Sequence, residues 1–97
     1  PFDIVNSARE PTPNDPAIRG SRGWIRLKQG KASEAVDFLQ QAYDLFPDPE
    51  VSAHLIQAYH AAGSQQLALE LLKQEQLKHP DNEFLMEAAA SINAPLD

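Results

Sequence analysis

Apolar residues recur along most of the chain at spacings of three and four, the period of one helix face. Ala35, Val36, Leu39, Ala42, Tyr43 and Phe46 form such a stripe over 32–46. Val51, Leu55, Ala58, Tyr59 and Ala62 form a second over 50–62. Ala68, Leu71 and Leu72 mark a third over 65–78, and Phe84, Leu85, Ala88, Ala89 and Ile92 a last, shorter helix. The first segment, 16–29, is less regular. Ile18, Ile25 and Leu27 are apolar, but Gly20 and Gly23 each weaken helix propensity by about 1 kcal/mol. Glycine inside a helix marks a place where something packs very close. No stretch alternates with period two over a useful length, so the pattern predicts an all-α chain of about five helices and no strands.

The punctuation agrees. Asp15-Pro16 and Asp48-Pro49 read as helix starts, because Asp accepts a backbone hydrogen bond at the N-cap and Pro suits the first helical turn. Asp81-Asn82, followed by Glu83, reads as a third start. Gly30 and Gly63 read as helix ends, where a left-handed residue closes the last turn. Ser64, directly after Gly63, is placed to cap the next helix.

The segments repeat one another. Gly30 and Gly63, Ala35 and Ala68, Leu39 and Leu72, and Pro47 and Pro80 are each 33 residues apart, and Pro13 and Pro47 are 34 apart. A helix pair recurring at that period is the mark of a solenoid, in which each unit buries its apolar face only by stacking on its neighbour. Ala35, Ala42, Ala58 and Ala68 are small where helices must approach to roughly 8–10 Å. Leu39, Leu55, Leu71 and Leu72 fill the space between them.

Composition narrows the role. At 97 residues the chain makes one small domain at most. It contains no cysteine, which removes disulfides and any cysteine-based metal or redox site. A net charge of −6 argues against a nucleic-acid binder, which needs a surplus of Lys and Arg. No apolar run reaches the ~18–20 residues of a membrane span, so membrane insertion is not expected. The chain opens Pro1-Phe2-Asp3, with neither an initiator Met nor a basic-then-apolar leader, and reads as a piece of a longer protein. Charge is arranged in blocks. Residues 16–31 sum to +5, whereas residues 32–72 carry six acids and no Lys or Arg. The plainer reading is compensation between neighbouring helices, and the sharper one is a basic strip aimed at an acidic partner.

No constellation of residues points to catalysis. His54 and His60 are six apart, about 240° around a helix, and so do not make a metal pair on one face. His79, beside Pro80, sits at a helix end, where a cation suits the dipole. The run Gly20-Ser21-Arg22-Gly23 lacks the Lys-Ser/Thr ending of a phosphate loop and lies inside a predicted helix. Glu34, Asp37 and Asp44 read as a solvated face rather than an acid/base pair. No cofactor or metal site is expected.

These residues resemble the tetratricopeptide repeat. That family carries a small residue near the eighth place of each unit, an aromatic near the eleventh and Gly near the fifteenth. Ala follows near the twentieth, a large apolar residue near the twenty-fourth, Ala near the twenty-seventh and Pro near the thirty-second. From Pro16 the chain supplies Gly23, Gly30, Ala35, Leu39, Ala42 and Pro47, with Arg26 in place of the aromatic. From Pro49 it supplies Tyr59, Gly63, Ala68, Leu72 and Pro80, and departs at Ile56 and Glu75. The run Gly23-Trp24-Ile25-Arg26-Leu27 looks most like repeats from bacterial proteins. The resemblance divides the chain into units at 16–48 and 49–82. Residues 1–15 become the remnant of a preceding helix with a Pro-rich turn, and 83–97 a closing helix and tail.

The resemblance implies an α-α superhelix whose first helices line a concave groove. Its groove places fall on Ala17, Gly20, Trp24, Leu27 and Lys28, then on Glu50, Ala53, Gln57, His60 and Ala61. Trp24, Leu27, Lys28, Ala53, Gln57 and His60 are the candidates to meet a ligand. Trp24 reads equally as a packing residue against the next helix. Gly20 and Trp24 occupy two places where the family's carboxylate-clamping grooves carry polar residues, so a clamp of that type is not expected. The implied role is non-catalytic binding of a protein or peptide. The rivals are a structural spacer in a longer array, or self-association through an exposed N-terminal end.

Overall fold

The structure is a computed structural model that describes residues 16–93, with side chains from Ser21 onward. The expectations for residues 1–15 and for the tail after Asn93 lie outside the described residues. Five helices follow in order: α1 (Pro16–Lys28), α2 (Ala32–Leu45), α3 (Pro49–Ala61), α4 (Gln65–Lys78) and α5 (Glu83–Ser91). Their ends lie within two residues of those read from the apolar spacing, and no strand occurs among the described residues.

The caps are the local reason for these boundaries. The Asp48 carboxylate accepts the Glu50 N–H at 2.8 Å and starts α3, with Pro49 behind it. The Asn82 side-chain oxygen accepts both the Phe84 and Leu85 N–H groups and starts α5. Gly30 and Gly63 both take positive φ, +80° and +88°. Each permits a pair of closing bonds, Lys31 N–H to Arg26 O with Gly30 N–H to Leu27 O, and Ser64 N–H to Tyr59 O with Gly63 N–H to His60 O. Asn93 ends α5 in the same left-handed conformation, which Asn tolerates better than most residues. Ser64 departs from expectation. Its side chain makes no capping bond, because its backbone is engaged in closing α3 and holds it outside the usual cap geometry.

The helices pack as two hairpins, α1–α2 and α3–α4, with α5 laid against α3 and α4. Two apolar clusters form the core. Ala35, Leu39, Leu55 and Ala58 make the first, between the hairpins. Ala53, Ile56, Ala68, Leu72, Leu85, Ala88, Ala89 and Ile92 make the second, among α3, α4 and α5. Tyr59 and Leu71 pack against both. The alanines are almost fully buried, consistent with close helix approach.

Gly23 shows why glycine sits inside α1. A Cβ placed there would lie 2.5 Å from Leu39 Cγ and 3.3 Å from the Ala35 carbonyl oxygen. Leu39 Cγ is a branch point held in the core, not a free side-chain tip. Gly23→Ala is therefore expected to lower the urea midpoint. The overpacking costs about 1–3 kcal/mol, which outweighs a helix-propensity gain of at most about 1 kcal/mol. A midpoint equal to or above wild type would contradict this close contact.

Candidate functional site

Helices α1, α3 and α5 surround a concavity of about 290 Å3. Trp24, Leu27 and Lys28 enter from α1, Gln57, His60 and Ala61 from α3, and Ser91 and Ile92 from the end of α5. Five of the six sequence candidates thus converge. Ala53 does not line the concavity. It is 1% exposed and packs in the core with Ile56 and Ala88, because its small side chain turns toward the α4–α5 side of α3.

Trp24 organises this surface. One contact is a stack on the His54 imidazole, with ring centroids 4.1 Å apart and planes 20° from parallel. Lys28 Nζ lies 4.4 Å from the Trp24 ring centroid, one helical turn along α1. Such a cation–π contact is worth about 0.5–1 kcal/mol at an exposed site. Trp24 is therefore both a packing residue and part of the wall. His60 Nδ1 is buried without a hydrogen-bond partner.

Sequence reasoning missed His54, Ser91 and Ile92. His54 holds the sixth place of its unit, which the groove template skips. The 240° between His54 and His60 does separate their directions, yet the broad indole reaches the first and shares the concavity with the second. Ser91 and Ile92 enter because α5 runs alongside α3, as a further first helix would.

Burial pushes the His54 imidazole below its ordinary 6.5. The Glu50 and Glu87 carboxylates oppose that shift and the Lys28 ammonium adds to it. Charge on α1 is partly met within the fold. Arg26 Nε lies 3.2 Å from Glu34 Oε1, an ion pair without hydrogen-bond alignment, and its guanidinium stands 5.9 Å from the Phe38 ring centroid. Among the described residues no three His, Asp or Glu side chains gather as metal ligands would. Nor is any described helix long and apolar enough to cross a membrane.

Two short hairpins and a fifth helix, stacked through small residues at a 33-residue period, define a helical-hairpin solenoid. Over 53 residues, 55% of its length, the chain is 45% identical to a curated protein of Pseudomonas aeruginosa named "TPR repeat-containing protein PA4667". That relative and the helical-hairpin fold together support the resemblance to the tetratricopeptide repeat. The match spans 9% of the relative's own length. No protein-family model matches the chain, and no solved structure does.

His54 gives the site a pH signature. A folded-state pKa below the unfolded value stabilises the fold above about pH 6.5, and that stability is lost as pH falls through the folded pKa. Wild-type stability is expected to drop over the acidic interval below about pH 6.5. His54→Phe keeps an aromatic stack on Trp24 and should show a smaller drop in urea midpoint over that interval. An identical pH dependence in both proteins would remove His54 as its source.

Proposed function

We propose that the chain is a non-catalytic protein- or peptide-binding module, with its ligand in the concavity between α1, α3 and α5. The supporting observation is the convergence of Trp24, Leu27, Lys28, Gln57 and His60 on one hollow of mixed chemistry. Indole and leucine offer apolar contact, and aromatic anchors often dominate binding energy. Lys28, Gln57 and the unpartnered His60 Nδ1 can hydrogen-bond a peptide backbone or side chain. The same reading divides the chain into units at 16–48 and 49–82 with a closing helix and tail at 83–97.

A second reading, a structural segment of a longer helical array, rests on exposed apolar side chains. Leu77 is 86% exposed and Phe46 57%, far from the concavity's residues in sequence. Self-association through residues 1–15 concerns a segment outside the described residues.

A displayed random-peptide library selected on the wild-type chain separates the readings. Peptides enriched on wild type should lose binding to a folded Trp24→Ala, His60→Ala double variant, by at least about tenfold if the pair acts as a hot spot. Equal binding to both proteins would move recognition off the concavity. A selection that enriches nothing would favour the structural segment.

A further inference from the structure

A second cleft, of about 230 Å3, shares no residue with the concavity. It opens where the second helices of the two hairpins stand apart, since no Cα of α2 comes within 8 Å of α4. Its apolar lining includes Leu55 of α3 with Leu67 and Leu71 of α4. Its polar wall includes Gln40 and Tyr43 from α2, Tyr59 from α3, and Glu70 and Gln74 from α4.

The hydroxyl donors of that wall, and one Gln40 amide hydrogen, are consumed inside the fold. Tyr43 O–H donates to Glu75 Oε2 at 2.8 Å, and Tyr59 O–H donates to Gln40 Oε1 at 2.7 Å. Gln40 Nε2 donates in turn to Asp44 Oδ1 at 3.0 Å. What the wall keeps to offer is chiefly acceptor capacity: the hydroxyl lone pairs, the Glu70 carboxylate and the Gln74 amide oxygen. The surrounding charge has the same sense. Glu75, at 1% exposure, stands behind Tyr43 with its Oε1 unpartnered, and Lys78 reaches only its Oε2, at 3.6 Å. Burial together with the hydrogen bond to Glu75 pushes the Tyr43 phenol up to about 12, which keeps it protonated. Within the block 32–72 that supplies most of the cleft there are six acids and no Lys or Arg. Lys73, three residues after Glu70, lines a neighbouring depression with it.

We propose that this cleft takes the side chain of an arginine presented by a partner protein segment. The aliphatic stem of arginine would lie on the leucines while its guanidinium supplies donors to the acceptor-rich wall. Planar guanidinium, with five N–H groups and weak hydration, fits such a wall better than a compact ammonium. The cleft is a docking point separate from the concavity, so one chain can engage two features of its partners.

The test is an amide NMR titration of the full chain with acetyl-arginine methylamide, against the neutral isostere acetyl-citrulline methylamide. Saturable shifts at Gln40, Tyr43, Glu70 and Gln74 with arginine, and none with citrulline, are expected. Glu70→Gln, an exposed substitution that leaves the core intact, should weaken the arginine titration roughly threefold, as loss of a surface ion pair does. Equal shifts with citrulline, shifts confined to Trp24, Lys28 and His60, or no shift at all would each overturn the proposal. So would an unchanged titration in Glu70→Gln.

Discussion

Helix α3 is the element through which the core is joined. It packs against every other described helix, and each of its faces has a different partner. Leu55 and Ala58 look toward the α1–α2 hairpin, while Ala53 and Ile56 look toward α4 and α5. Tyr59, on the same helix, touches both clusters. A chain this short buries only about 60–65% of its unfolded surface, so neither cluster is large enough to stand alone. The stability of each hairpin depends on the other through one helix, as nearest-neighbour stacking requires.

The same helix positions both surfaces of interest. Gln57 and His60 line the concavity with Trp24, and His54 supports it by stacking on the indole. Leu55 and Tyr59 leave it toward α2 and α4 and shape the second cleft. The two surfaces differ in chemistry because the chain segregates its charge. Lysine and arginine gather in α1 and the turn that follows, whereas α2 and α3 carry acids and no lysine or arginine. Arg26 and Glu34 show that some of this charge is met internally, but as a half-exposed pair its contribution to stability is small.

Much of this was legible in the residues because the local signals agree with one another. Asp48 and Asn82 cap as read, Gly30 and Gly63 adopt the positive φ that ends a helix, and Gly23 meets Leu39 as an interior glycine suggests. What escaped the reading depends on side-chain direction or on relations between helices. Ser64 has the right residue type for a cap, but the closing turn of α3 fixes its backbone elsewhere. Ala53 holds a groove place by numbering yet turns into the core. His54 is met by Trp24 only because α1 and α3 lie side by side, a distance no spacing rule supplies. Glu75 stands where the family has alanine, and only the fold shows Tyr43 waiting for it across the gap between α2 and α4.

The coupling through α3 is tested most directly by urea unfolding of Ile56→Ala, followed at once by Trp24 fluorescence and far-UV circular dichroism. Ile56 belongs to the second cluster, whereas Trp24, the single tryptophan, reports on α1 against α3. Losing the buried side chain should cost about 2–5 kcal/mol. The account predicts that both signals move together to a lower midpoint in one transition. A fluorescence midpoint left at its wild-type value while the dichroism midpoint falls would show that the α1–α2 side folds without the rest, and would contradict it.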